Sequence, residues 1–194
     1  MPHQTTPEYS FLEGDPVDAA QRLIGCHIVR QLDGETLIGR IVETEAYHQL
    51  DAASHSYKGR TPRTDIMFGP AGFLYVYFTY GMHYCMNVVT GPAGEGSAVL
   101  IRALEPLSGE AAMQARRSAM PRQQLTNGPG KACQALGITK EQNGHDLRHA
   151  PVRLVVQPAL PPDAITQTTR IGISKDTDRP WRFYQTGNPF VSRR

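Results

Sequence analysis

Residues 26–32 (CHIVRQL) and 35–47 (ETLIGRIVETEAY) flank an Asp33-Gly34 dipeptide. This is the strongest local constraint in the chain. The two-residue hairpin turn it suits needs positive φ at both central positions, which aspartate tolerates and glycine adopts freely. The spacing predicts two antiparallel strands. Side-chain alternation then puts Leu37, Ile41, Glu43, Glu45 and Tyr47 on one face for as long as the second strand runs straight, so an apolar face turns acidic at its end.

The neighbouring segments fill in a mixed architecture. Asp15-Pro16 opens DPVDAAQRLIG, where an N-cap acid, proline at the first helical position, apolar Val17, Ala20 and Ile24, and a closing Gly25 predict a short helix. FLYVYFTYGMHYCMNVVT predicts two strands meeting near Tyr80-Gly81, and AVLIRALEP another, with Arg102 on the side of Leu100 and Leu104. An arginine on an apolar face needs a partner. Helices are expected at SGEAAMQARRSAM, capped by Ser108, and at GPGKACQALG, closed by Gly137. PALPPDA reads as a loop, followed by short strands at RIGI and WRFYQ. The order of helices and strands is α+β rather than a regular βαβ alternation. At 194 residues the chain is expected to form one domain, 1–194, with residues 1–8 a free tail.

Composition excludes disorder and fibre, with 40% hydrophobic and 20% charged residues. Twenty Lys+Arg against eighteen Asp+Glu permit an anionic partner without demanding one. Basic residues gather in YKGRTPR (Lys58, Arg60, Arg63) and again from Arg170 to Arg194 through Lys175, Arg179, Arg182 and Arg193. Each cluster suits a solvated surface as well as a binding face. Three widely spaced cysteines, Cys26, Cys85 and Cys133, form no disulfide framework or CxxC pair, which fits a reducing, cytoplasmic address. No apolar run approaches the roughly twenty residues of a membrane span, and MPHQTTPEYS lacks the features of a secretory signal.

ETEAYHQLDAASHS, residues 43–56, concentrates the chemistry. Glu43 and Glu45, i and i+2 on a strand face, stand about 6.5–7 Å apart along the chain, a spacing that resembles the acid and base of an inverting glycosidase. Glutamates at a sheet edge that pair with lysine or arginine are the plainer alternative. Tyr47, His55, Tyr75, Tyr77, Tyr80 and Tyr84 surround the acid with rings, of which Tyr75 and Tyr84 suit core packing. Nucleobases are held by stacking and edge hydrogen bonds, and their backbones by Lys and Arg, so the set suits a nucleotide better than a free sugar. The seven histidines include no HExxH and no HxE followed by PCxxC, so no metal is implied. GPGKA is an incomplete phosphate loop, although a helix N-terminus with Lys131 is an anion site in its own right.

GRIVETEAY, DAASHSYKGRTPR, MFGPAGFLYVYFTYGMHYCMNVV, AVLIRALEP, NGPGKACQALGI and RFYQTGNPFVS together resemble the alkyladenine (3-methyladenine) DNA glycosylases, monofunctional enzymes of base excision repair. The resemblance covers nearly the whole chain. It implies a single α+β domain with a curved antiparallel sheet surrounded by helices, acting as a monomer on double-stranded DNA that contains damaged purines. No cofactor or metal is implied, and the location would be cytoplasmic, on nucleoid DNA in a prokaryote. Residue by residue, Glu45 matches the general base, and Arg102 a positioning arginine at the catalytic site. Tyr47, His55 and Tyr77 match the residues enclosing the flipped base, and Asn87 the one that crowds the amino group of guanine. Tyr80 matches the side chain that enters the duplex, and Thr61, Arg63 and Lys131 match contacts to the DNA backbone. Glu43 has no catalytic counterpart, so the glycosidase-like pair is a coincidence of strand geometry. In physical terms, N3- or N7-alkylation leaves a cationic purine that a tyrosine face attracts by about 0.5–2 kcal/mol. Such a base already leaves easily, and a carboxylate that deprotonates water suffices. A pure binding module would gain nothing from an acid beside a polyanion, and a sugar hydrolase would need both Glu43 and Glu45.

Overall fold

The computed structural model describes residues 7–192. Residues 1–6 of the expected N-terminal tail lie outside the described residues, as do Arg193 and Arg194; Pro7 and Glu8 already open a 3-10 helix, Pro7–Glu13. α1 (Pro16–Leu23) forms as its caps dictate: the Asp15 carboxylate accepts the Val17 N–H at 2.6 Å, and Gly25 turns the chain out at φ +92°. β1 (His27–Leu32) and β2 (Glu35–His48) make the expected hairpin, with Asp33 at φ 53° and Gly34 at φ 79°. β3 (Leu74–Thr79) and β4 (His83–Val89) turn at Tyr80-Gly81, where Tyr80 takes φ 52°, and β5 (Ser97–Ser108) follows. α2 (Glu110–Arg116), α3 (Pro129–Leu136), β6 (Val152–Val155), β7 (Ile165–Thr168) and β8 (Arg182–Gln185) complete the fold.

The architecture is a single α+β domain, with all named strand pairs antiparallel in one open eight-stranded sheet. Six strands run in the order β3-β4-β5-β2-β1-β6, and β8 joins the far half of β2, bringing β7 with it. At fourteen residues β2 is long enough to serve β1 at its start and β8 at its end. One face of the sheet packs against α1 and α3 around Leu23, Ile28, Leu37, Ile41, Met86 and Leu136. Among the described residues no helix is long and apolar enough to cross a membrane.

Several expectations are corrected. Ser108 does not cap α2: it is the last residue of β5, paired with Ile38, and Gly109 is the N-cap at φ 74°. A Cβ at position 109 would lie 2.3 Å from Leu37 Cδ2, so only glycine lets the chain pass from strand to helix this closely. RIGI is not a strand, because the Ile171 N–H is taken by a carboxylate, that of Glu45, at 2.8 Å; the strands in this region are β7 and β8, the latter within the expected WRFYQ. Of the C-terminal basic cluster, Arg170 and Arg182 are buried rather than solvated.

The face of β2 is also corrected. Ile41 pairs with Leu104 and Glu43 with Ala103, leaving Val42 as an extra residue; then Thr44 pairs with Ile101, leaving Arg102 as the extra residue on β5. Each bulge reverses the alternation. Leu37 and Ile41 face the helices, but beyond the bulge Thr44 and Ala46 do so, Thr44 donating to the Ala20 carbonyl at 2.8 Å. Glu43, Glu45 and Tyr47 therefore stand on the opposite face from Leu37 and Ile41. Likewise Leu104 belongs to the main core, while Arg102 and Leu100 look into a cavity.

Candidate active site

The paired bulges bring Glu43, Glu45 and Arg102 together on the face away from the helices. Arg102 donates from Nε to Glu43 Oε1 at 3.2 Å and from Nη1 to Glu45 Oε2 at 3.1 Å. The two glutamates then differ in what else they hold. Glu43 also accepts from Arg182 Nε at 2.7 Å and from the Ser192 amide and hydroxyl at 2.7 and 2.9 Å, so four donors hold it, three of them on Oε1. Glu45 accepts the Tyr47 hydroxyl on Oε2 and the Ile171 amide on Oε1, both at 2.8 Å. With three donors in all, Glu45 keeps one acceptor position, on Oε1. The two acids of the glycosidase-like pair are thus held unequally, Glu43 by four donors and Glu45 by three.

In front of this cluster lies a cleft of about 480 Å³, within the usual range for small-molecule sites. Tyr47, His55, Tyr77, Tyr80, Asn87 and Arg102 all line it, so six of the ten residues singled out in the sequence share one cavity. Tyr75, read as a core ring, is both buried and part of the wall; Tyr84, read likewise, is partly buried against the main core and meets the Phe78 ring at a tilt, with centroids 5.0 Å apart. His55 meets Tyr77 edge to face with centroids 4.5 Å apart, and its Nδ1 lies 3.0 Å from the Tyr75 hydroxyl. Arg63 Nη2 approaches Nε2 of the same ring at 3.4 Å. A guanidinium can only donate, so Nε2 accepts and Nδ1–H donates to Tyr75. Burial, and then the Arg63 charge, push the His55 pKa down to about 4, so the ring is neutral at physiological pH. Burial first, and then the nearby Glu45 charge, push the Tyr47 hydroxyl well above its ordinary value, so it remains a donor to Glu45. Asn87, buried on β4, donates from Nδ2 to the Tyr75 carbonyl at 3.1 Å, fixing its amide against the cleft wall.

Thr61, Arg63 and Lys131 do not line the cleft. Tyr80 is 83% exposed at the tip of the β3–β4 hairpin, next to Met82 at 69%. Arg63 lies over the Tyr77 ring, its Cζ 5.7 Å from the centroid, and so packs against one of the rings of the cleft without lining it. Thr61 bonds Thr64 through its amide and hydroxyl, both at 2.9 Å. Lys131, on α3, donates to Asn127 Oδ1 at 2.8 Å, and Pro129 on the same helix lines the cleft. Burial and the neighbouring Arg117 charge lower the Lys131 pKa. Among the described residues no three His, Cys, Asp or Glu side chains converge as metal ligands.

Sequence reasoning missed the segment 171–175, which forms one wall of the cleft, the buried partners Asp51, Arg170 and Arg182, and the half-buried Ser192. Ile171 offered no signal, because it acts through its amide. The arginines were visible only as net charge.

Comparison with known proteins identifies the family. The methylpurine-DNA glycosylase family profile matches residues 10–189. A protein of Methanoculleus marisnigri named "Putative 3-methyladenine DNA glycosylase" is 52% identical over 188 residues, covering 95% of this chain and 97% of its own. Proteins of the same name from Carboxydothermus hydrogenoformans and Francisella tularensis subsp. tularensis are 47% identical over 186 residues and 48% identical over 181. These cover 95% and 92% of this chain, and 97% and 94% of their own. With nearly every residue matched from the first 3-10 helix to the C-terminal turn, the chain belongs to the methylpurine-DNA glycosylase family.

Proposed function

We propose that this DNA glycosylase takes alkylated or deaminated purines out of duplex DNA and hydrolyses their N-glycosidic bond with a water activated by Glu45, leaving an abasic site. The observation that carries the reading is the contrast between the two glutamates: the three residues that hold Glu45, namely Tyr47, Arg102 and Ile171, all line the cleft, whereas Arg182 and Ser192, which hold Glu43, do not. In the reaction the water oxygen bonds to the sugar C1′, the C1′–N bond electrons leave with the purine, and the water proton passes to Glu45 Oε1. A purine alkylated at N3 or N7 departs neutral and needs no acid. The geometry adds one requirement. Glu45 has no exposed surface, whereas Tyr47 and Arg102 in front of it line the cleft. Water therefore reaches it only when Tyr47 or the 171–175 segment moves as the base enters.

The base would be enclosed by Tyr47, His55 and Tyr77, with Asn87 excluding guanine through its amino group. Tyr80 would fill the gap in the stack, as apolar wedges do elsewhere at a cost of a few kcal/mol per unstacked step. Thr61, Arg63 and Lys131 would hold phosphates, and a single chain would act alone on its duplex.

The test is direct. Duplexes bearing single 3-methyladenine, 7-methylguanine, hypoxanthine or ethenoadenine residues are incubated with the protein, and abasic sites are scored as strand breaks after alkali. Breaks at one or more of these bases are expected, with no breaks before alkali; binding without release would make the chain a recognition module.

A further inference from the structure

The environment of Arg170 is more constrained than a salt bridge requires. Its side chain and that of Asp51 are both fully enclosed. Nη1 donates to Asp51 Oδ2 and, at 3.0 Å, to the Ala46 carbonyl; Nη2 donates to Asp51 Oδ1 at 3.0 Å and to the Asp176 carbonyl at 3.2 Å. The guanidinium carbon lies over two rings, Tyr47 with its centroid at 4.7 Å and Trp181 at 5.2 Å. Arg170 does not line the cleft, so the Tyr47 face it covers is the one turned away, leaving the other for a base.

Buried ion pairs are weak evidence for stability, because desolvation offsets their attraction. What distinguishes this one is its place in the chain of contacts. Tyr47, stacked on Arg170, gives its hydroxyl to Glu45, and Ile171, the residue after Arg170, gives Glu45 its amide. Two of the three donors on that carboxylate are therefore set by one guanidinium. The Asp176 carboxylate holds the Ala52 amide at 2.8 Å, tying the same two segments together a second time.

We infer that Arg170, gripped by Asp51, is a positioning residue for base excision, fixing Tyr47 and the Ile171 amide on Glu45. The inference rests on the reading of Glu45 as general base. Lysine cannot replace it, since an ammonium lacks the planar fork that serves a carboxylate, two carbonyls and two rings at once.

The experiment compares wild type, Arg170→Lys, Asp51→Asn, Tyr47→Ala and the Arg170→Lys/Tyr47→Ala double variant. Single-turnover release of 7-methylguanine and affinity for the same duplex are measured separately, with thermal melts as a check on folding. A displacement near 1 Å costs about 100-fold in rate, so Arg170→Lys is expected to slow release by about that factor with duplex affinity almost unchanged. The loss should be smaller when Tyr47 is already alanine. Asp51→Asn, which loosens the grip and keeps the arginine, should give a lesser loss in the same direction, and it carries the test if Arg170→Lys does not fold. Wild-type release in Arg170→Lys, equal losses in rate and affinity, or a loss undiminished in the Tyr47→Ala background would each overturn the inference. If wild type itself releases no base, the proposed function fails first; if wild type is active and Arg170→Lys equally so, only the role of Arg170 falls.

Discussion

Arg102 Nη1 donates to Oε2 of Glu45 across 3.1 Å, from the one residue of β5 that has no partner opposite it between Ile101 and Ala103. The extra residue re-aims a side chain that a regular strand would send elsewhere, and the arginine then holds Glu43 and Glu45 at once.

Glu45→Gln should lower single-turnover release of 7-methylguanine by at least about 100-fold, the range of general-base contributions. Duplex binding should persist. Because only the Tyr47 hydroxyl, and neither Arg102 nor the Ile171 amide, can accept from the new amide nitrogen, melts must confirm that the variant is folded. Release near the wild-type rate would end the general-base assignment.

Glu43→Gln should act on stability rather than on chemistry. It withdraws a charge from Arg102 and Arg182, both largely buried, and breaking such a pair costs about 3–5 kcal/mol. Urea unfolding should register that loss, while the folded fraction still releases base; a variant as stable as wild type would show the cluster to be dispensable.

Tyr80→Ala should leave stability within about 0.5 kcal/mol, as an exposed tip residue does, yet weaken extrusion of the base. A fluorescent base beside the lesion reads that equilibrium. The same signal in variant and wild type would reduce Tyr80 to surface packing.

Asn87→Ser removes the Nδ2 bond to Tyr75 O and opens space at the cleft wall. About 1 kcal/mol of stability should be lost. Guanine release relative to hypoxanthine should rise about tenfold, the scale on which one displaced group is discriminated. An unchanged ratio from matched duplexes would place guanine exclusion elsewhere.

His55 should leave a mark on stability in mild acid. Its folded pKa of about 4 lies below the ordinary 6.5, so between these values the unfolded chain binds more protons than the folded one. Stability is then level above about pH 6.5 and declines as the pH falls towards 4. Unfolding curves at pH 7.5 and 5 should differ less for His55→Gln than for wild type; equal differences would mean that the ring titrates normally.

What was legible in the sequence is what neighbours in the chain decide. The turn at Asp33-Gly34, the cap at Asp15 and the close of α3 at Gly137 each depend on a few adjacent residues and formed as expected. Ser108 misled because the contest between strand and cap was settled by Leu37, 71 residues earlier in the chain. The cleft residues were legible through family motifs and ring chemistry, not through periodicity, since the bulges at Val42 and Arg102 invert the very alternation on which a face is assigned. Arg170 and the Ile171 amide stayed hidden because their roles exist only once Asp51, Tyr47 and Glu45 are folded beside them.

The bulges at Val42 and Arg102 cancel. Pairing on either side of them keeps one register, Ile41 with Leu104 before and Thr44 with Ile101 after. Removing Val42 alone would slide one strand past the other and turn Glu45 towards the helices, and removing Arg102 alone would shift the register likewise and take the arginine itself away. Over evolutionary time the site can change its side chains one at a time, but a length change at this point survives only if both strands undergo it together.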